Sequence, residues 1–279
     1  MTNKMLDLSY LKFEGEFPKE FTLPEDRIPP VHNQHTGGSD NRCGAYAISG
    51  IMTSMAVKYY GKPLEFSEGY IYGKYSKESD RAGNGGVSES QLFPAICKSG
   101  ACLFDDMPDF KNRAKAIDYV KEHPELDEIA KKHAKMFKGC INLKANRKIL
   151  TAENIKKALL VTGNPVFCSA ELLYNHAIII CGWDKDDYLL YRDCDGTKHL
   201  KHLSYKDIKE AYGFIMAEKE TKKFIDVPDY HWGKEAIDYG VRKGYGKGIS
   251  DDMFAPDKFV TRAEIMQFFY NYDKANGKI

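Results

Sequence analysis

The sequence predicts an α+β protein: a helical half, then a half of short antiparallel strands, then a small helical unit of its own. Three observations carry this. Apolar residues recur at helical spacing through residues 43–61 and 151–163. From residue 165 onward they gather into short runs rich in branched side chains, separated by turn residues. A Lys/Glu-rich stretch, "MAEKETKKF" at 216–224, then separates a tail that has its own helical pattern. The boundaries follow as an N-terminal arm over 1–23, a main domain over 24–218 and a C-terminal unit over 224–279.

The elements can be justified in chain order. The first thirty or so residues read as an irregular, partly extended arm, because Pro24, Pro29 and Pro30 block a helix. "CGAYAISGIMTSMAVKYYG" sets Ala45, Ile48, Met52, Met55 and Ala56 on one helical face, and Gly61 with Pro63 stops it. "SESQLFPAICKSG" predicts a second helix with Ser88 as N-cap and Gly100 past its end. Residues 110–138 are Lys/Glu-rich and predict helix with a solvated face. "LTAENIKKALLVTGN" has Thr151 to accept from the first-turn amides and Gly163 to close the helix. "PVFCSAEL", "HAIIICGWD" and "DYLLYRD" read as antiparallel strands. A cleft between two such halves is a usual place for an active site. In the tail, "WGKEAIDYGVRKG" predicts one helix, and Thr261 with Glu264 a capping box opening another.

Composition narrows the function. The 279 residues are 43% hydrophobic and 29% charged, as in ordinary globular proteins, and long enough for a large domain plus a smaller one. A net charge of +1 gives no basis for nucleic-acid or anionic-membrane binding. No apolar run reaches the length of a membrane span, and the first residues lack the apolar core of a secretory signal. Seven cysteines, an odd number without paired spacing, argue against a disulfide framework or zinc ribbon. Most sit in apolar settings and read as small buried hydrophobes in a reducing compartment.

Two residues stand apart. His176 precedes an unbroken apolar run, and a buried imidazole must find partners for both ring nitrogens. Cys43 opens the first long helix, where unpaired amides and the helix dipole favour a thiolate. Alone, Cys43 is as readily an inert cysteine and His176 a strand-edge histidine. Together they say more: His176 and Asp193 follow Cys43 by 133 and 150 residues, within the range of the papain-like cysteine proteases.

Local sequence extends that resemblance in patches over residues 24–215. "CGAYAIS" resembles the family's stretch around its nucleophile, and "VHNQ" the upstream stretch whose Gln donates to the oxyanion. "NHAIIICGWD" closely resembles the strand with the catalytic His. "YLLYRDCDG" falls where the family has a strand ending in Asn-Ser-Trp-Gly, with Asp193 in place of Asn and Asp195 in place of Trp. "LEFSEGYIY" and "GNGG" resemble its Leu-Ser-Glu and Asn-Gly-Gly segments. The resemblance implies a two-lobed papain-like fold with a helical left lobe and an antiparallel β right lobe. It implies a cysteine endopeptidase using Cys43, His176, Asp193 and the oxyanion donor Gln34, without a cofactor or metal. It places peptide or protein substrate on the backbone of Gly85 and Gly86, beside Tyr174 and Asn175.

The sequence also departs from the family. The "HTGGSDN" stretch before Cys43 is longer, the connection from "PVFCSAEL" to His176 is shorter, and residues 109–145 are an insertion. The family's disulfide cysteines are missing, and the residues before 24 are too few for an occluding propeptide.

The tail resembles a single S-layer homology repeat: Phe224-x-Asp226-Val227, Trp232 with Ala236 and Ile237, a Gly-rich turn, Phe254 with Pro256, and "TRAE" at 261–264. Trp232, Ile237, Phe254 and Ile265 read as its core. The resemblance implies binding of acidic groups on bacterial cell-wall polysaccharide through Arg262, whose fork suits a carboxylate, together with Asp226. One repeat cannot easily bury its apolar side, which predicts a homotrimer or docking on the main domain. The repeat implies the cell surface, whereas the lack of a signal peptide implies cytoplasmic synthesis or non-classical release. Two other functions stay open: an acyl transferase of transglutaminase or amidase type with the same Cys-His-Asp set, and a non-catalytic wall-binding protein.

Overall fold

A computed structural model describes residues 5–34, 42–75, 89–107, 109–110, 112–144, 149–171, 176–218, 224–228 and 230–279. The chain forms two compact units, Met1–Ala217 and Glu218–Ile279.

The larger unit is built around α1 (Cys43–Tyr60). Its sequence predicts one apolar face, yet Ala45 through Ala56 are all buried, polar residues included. The reason is position: α2 (Glu68–Tyr75) and a sheet pack on it from different sides, so no face is left to solvent. The buried hydroxyls find carbonyls, Ser49 at Phe66 (2.7 Å) and Ser54 at Arg27 (2.5 Å).

α3 (Glu89–Ser99) follows. The helical expectation over 110–138 is realised as α4 (Arg113–Glu122) and α5 (Glu125–His133), separated at Pro124. Its last part differs: Phe137 opens a strand, β3 (Phe137–Asn142). Nor is the stretch only a solvated face, since Ala116, Ile117, Val120, Leu126 and Ala130 are buried. The insertion thus joins the helical layer and also supplies the sheet. α6 (Ala152–Thr162) is bounded as its sequence suggests: Thr151 Oγ1 accepts from Asn154 N–H at 3.2 Å, and Gly163 closes it in a left-handed conformation.

β4 (Val166–Ala170), β5 (His176–Trp183) and β6 (Leu189–Arg192) are antiparallel neighbours. The sequence reading does not include β1 (Met5–Leu6), β2 (Phe21–Thr22), β7 (Lys201–Leu203) or β8 (Ile208–Met216). Among the described residues the strands form one sheet in the order β1-β3-β8-β4-β5-β6-β7, with β2 pairing β5. β8 was hidden because its mixed polar and apolar residues fill the gap between β3 and β4, a long-range pairing with no local signal. The arm lies against the far end of β5, where Phe21 pairs with Trp183 and the Trp183 indole donates to the Pro18 carbonyl at 3.1 Å. That end is about 23 Å along the strand from His176, at roughly 3.3 Å per residue.

One contact sets how α1 meets β5. A Cβ on Gly50 would lie 3.1 Å from Ile179 Cδ1 and 3.2 Å from Pro29 Cβ. A larger residue here would have to push Ile179 or Pro29 aside by a few tenths of an ångström, so glycine favours this close approach of helix and strand. Cys43 at the start of α1 and His176 at the start of β5 are carried by these two elements.

The smaller unit contains α7 (Lys234–Arg242) and α8 (Arg262–Ala275). The capping box at Thr261 and Glu264 is present in both directions. The expected core is realised in part: Ile237 and Phe254 are half-buried and Phe254 packs on Phe224, whereas Trp232 is 91% exposed and Ile265 42%. Among the described residues of this unit, Phe224, Val227 and Tyr245 are the buried apolar ones. Two short helices make too thin a layer to enclose more, and α8 buries none of its residues. Among the described residues of the whole chain, no helix is long and apolar enough to cross a membrane.

Candidate active site

Cys43 is the first residue of α1, and its N-cap, Arg42, provides no side-chain cap among the described residues. The first-turn amides therefore remain available to a sulfur or a ligand anion. Arg42 is 1% exposed. It pairs with Asp109, donates to the Gln34 carbonyl at 2.8 Å, and lies over the Tyr46 ring. It thus ties the residues before the helix to the residues behind it.

His176 reaches the same point from the sheet. Its Nε2 donates to Asp193 Oδ1 at 2.7 Å, and its ring is also hydrogen-bonded to Cys43. With Nε2 engaged, Nδ1 is the nitrogen left for the thiol. Register explains how Asp193 arrives. Ile179 pairs with Arg192, so the residue after β6 runs back toward the start of β5, level with Ile178 and on the face of His176.

Asp193 is 7% exposed, and both oxygens are occupied. Oδ1 also accepts from the Cys194 amide at 2.8 Å, and Oδ2 from Lys201 Nζ at 2.9 Å. Lys201 in turn reaches Asp195 Oδ2 at 2.5 Å.

The electrostatics follow from these contacts. Burial alone would push the Cys43 thiol up. The hydrogen bond and charge of His176, with the backbone amides of Ala177 and Gly44, outweigh it and bring the thiol below its ordinary value. Burial would likewise depress His176, but Asp193 and Cys43 push it up to about 9. Asp193 is lowered because the His176 and Lys201 hydrogen bonds overcome its burial. All three directions favour a thiolate beside an imidazolium. The other six cysteines are buried free thiols, as the sequence suggests.

The segment carrying Gln34 is pinned along the loop after β6. Gln34 N–H donates to the Cys194 carbonyl (2.9 Å), Asn33 bridges Asp195, and Gly196 N–H donates to the His32 carbonyl (2.9 Å). Gly196 has φ +86°, a conformation that favours glycine, and a Cβ there would also press on the Asn33 side chain at 3.0 Å. His32 pairs with the buried carboxylate of Glu68 from α2. Burial would lower His32, and the Glu68 hydrogen bond and charge raise it above its ordinary value. The Gln34 side chain makes no hydrogen bond among the described residues.

The structure therefore brings Cys43, His176 and Asp193 together, with the Gln34 backbone anchored beside them. Gly85, Gly86, Tyr174 and Asn175 lie outside the described residues. In the smaller unit, Asp226 accepts from the amides of Phe254 (2.9 Å) and Ala255 (2.6 Å), so its carboxylate shapes a loop. Arg262 is the exposed first residue of α8. Sequence reasoning missed Lys201, Arg42, Asp109 and the His32–Glu68 pair. Each acts across a fold contact that leaves no local pattern. Among the described residues no group of three His, Cys, Asp or Glu side chains is arranged to hold a metal ion.

Comparison with known proteins bears on the fold. The larger unit has a papain-like fold. Procathepsin L 3 of Tenebrio molitor larval midgut superposes with a TM-score of 0.57 at 13% identity, over 76% of this chain and 74% of that one. The ragweed pollen cysteine protease Amb a 11, in its proform, gives 0.57 at 18% identity, over 76% and 70%. Xylellain, a cysteine protease from Xylella fastidiosa, gives 0.53 at 14% identity, over 75% and 89%. Residues 223–266 match the S-layer homology domain. The S-layer protein sap of Bacillus anthracis is 54% identical over 43 residues, 15% of this chain and 5% of the relative. An S-layer protein of Bacillus thuringiensis subsp. finitimus is 51% identical over 43 residues. The match thus spans about a twentieth of these relatives' length.

Proposed function

We propose that the larger unit is a cysteine endopeptidase and that the smaller unit tethers it to cell-wall polysaccharide. The observation that carries the first part is the series Cys43–His176–Asp193 at the tip of α1, where the N-cap provides no side-chain cap among the described residues. The thiolate attacks the substrate carbonyl carbon, and the electron pair moves to oxygen. The backbone N–H of Cys43 and the Gln34 carboxamide receive that oxyanion, each donor contributing roughly 3 kcal/mol. Collapse expels the amine, which takes its proton from the His176 imidazolium and leaves a thioester. Water, deprotonated by the now neutral imidazole, attacks the thioester, releasing the acid and restoring the thiolate–imidazolium pair. Asp193 holds Nε2 so that Nδ1 faces the sulfur throughout. The resemblance extends this reading to substrate binding by Gly85 and Gly86, through backbone pairing, and by Tyr174 and Asn175.

The test combines labelling with cleavage. An epoxysuccinyl peptide should alkylate Cys43, located by peptide mass mapping, and the unlabelled protein should cleave casein. Cys43→Ser should abolish both. Labelling without cleavage, accompanied by amine incorporation into glutamine side chains, would select the acyl-transferase reading, to which the carboxylate at 193 lends some support. Absence of labelling at neutral pH would leave a wall-binding protein.

For the smaller unit, the reading rests on the S-layer homology match and the exposed guanidinium at position 262. Sedimentation with purified wall polysaccharide should be lost in Arg262→Ala. Assembly as a homotrimer through the apolar side of α8 belongs to the same reading, and a monomer in analytical ultracentrifugation would remove it.

A further inference from the structure

The orienting residue of the site is a carboxylate where the resembled family has a neutral amide, and it does not stand alone. Lys201 Nζ lies 2.9 Å from Asp193 Oδ2 and 2.5 Å from Asp195 Oδ2. The arrangement is built into the sheet. Lys201 pairs with Tyr191 across β6 and β7, so its side chain shares a face with residue 193, two positions along. The turn between these strands is held by Arg192, whose Nη1 donates to the carbonyls of Thr197 (3.1 Å) and Lys198 (2.6 Å). Asp193 is thereby divided: one oxygen serves His176 and the Cys194 amide, the other serves the ammonium.

We propose that Lys201 is a positioning residue of the Cys43–His176 site, its ammonium offsetting the carboxylate charge that would otherwise act on the imidazole and thiol. This inference deepens, and rests on, the thiol-peptidase reading above. A bare carboxylate beside His176 favours the imidazolium but opposes a thiolate next to it, and the reactive pair needs both charges. Lys201 keeps Oδ1 as an acceptor of the Nε2 hydrogen bond while reducing the field reaching Cys43. Among the described residues, the charged and titratable groups facing this set are Cys43 from α1, Glu68 from α2, His176 from β5, Tyr191, Asp193, Cys194 and Asp195 on and after β6, and Lys201 from β7. Of these, Asp193, Lys201 and Asp195 form one hydrogen-bonded trio with a single net negative charge. Consistent with this, burial opposes the charge on Lys201, yet the two carboxylates hold it above the ordinary lysine value.

The experiment follows the rate of iodoacetamide alkylation at Cys43 against pH, read by mass spectrometry of the Cys43 peptide in the full chain. Lys201→Met leaves two negative charges in place of one. The acid limb of the profile should move up by about one pH unit, an approximately tenfold slower reaction on that limb. Lys201→Arg should keep the wild-type limb. Asp193→Asn combined with Lys201→Met restores a single negative charge and should bring the limb back to within about 0.3 unit. Asp195→Asn, at a half-buried position, should move it down, and it keeps the test available if Lys201→Met does not fold.

An unmoved limb in Lys201→Met and Asp195→Asn overturns the proposal, as does a limb in Lys201→Arg displaced as far as in Lys201→Met. A wild-type profile with no reactive thiolate below the ordinary thiol range is a different outcome. It removes the thiol-peptidase reading and takes this inference with it.

Discussion

Replacing Asp193 by asparagine tests the reasoning most directly, because the resembled family uses asparagine at this position and the present structure argues that it will fail here. The carboxylate accepts on both oxygens, from His176 Nε2 at 2.7 Å and from Lys201 Nζ at 2.9 Å. An amide has one accepting and one donating end. With its oxygen toward His176, its NH2 group faces the ammonium, donor against donor. With its oxygen toward Lys201, its NH2 group faces Nε2 and can be accepted only by a ring with the wrong tautomer. Either way one charge-assisted hydrogen bond is lost, worth about 1.5–3 kcal/mol. At roughly 1.4 kcal/mol per decade, kcat/KM should fall between about tenfold and a hundredfold. The assay is the initial rate of casein cleavage beside the rate of Cys43 alkylation, with circular dichroism to establish folding. An Asp193→Asn protein as active as the wild type would refute the reasoning, since the Oδ2 contact would then have no energetic consequence.

Four further outcomes are expected. Casein cleavage should fall as pH rises through about 9, where His176 loses its proton, and persist on the acid side to below the ordinary thiol value, where the lowered Cys43 finally protonates; a profile rising through pH 9 would contradict the ion pair. The same raised His176 stabilises the fold fully below its ordinary value of 6.5 and loses that contribution through about 9, which urea midpoints at several pH values would register. Gly50→Val should force Ile179 and Pro29 away, costing about 1–3 kcal/mol in urea unfolding and slowing Cys43 alkylation as α1 shifts on β5. Trp232→Ala should change urea stability of the smaller unit by less than about 0.5 kcal/mol because the indole is 91% exposed, whereas Tyr245→Ala, packed by Tyr272 at 5.0 Å, should cost about 3 kcal/mol or more.

What was legible in the chain followed from local physics. α6 announces itself because a threonine, an amphipathic run and a glycine are adjacent in sequence and act on neighbouring backbone groups. β4, β5 and β6 are legible because branched apolar runs fully buried in a sheet differ from anything a solvated segment tolerates. α1 was located correctly, but its all-round burial was not foreseen, because that depends on which layers lie on either side of it. β8 was missed for the same kind of reason: its partners, β3 and β4, lie far away in the chain.

The site divides along the same line. Cys43 and His176 could be named from sequence because each sits at the end of a recognisable element, and chemistry at element ends is local: amides at a helix tip, a polar residue opening a buried strand. That Asp193 shares its charge with Lys201 could not be read, since a lysine in "HLKHL" resembles any solvated lysine until a turn held by Arg192 folds it back. The S-layer homology pattern was equally plain, while the exposure of its tryptophan was not, because burial belongs to a packed assembly and not to a residue. Sequence determined which groups could react and where helices and strands begin. Tertiary structure alone decided how their charges are balanced, because Coulomb interactions depend on distances that chain order does not contain.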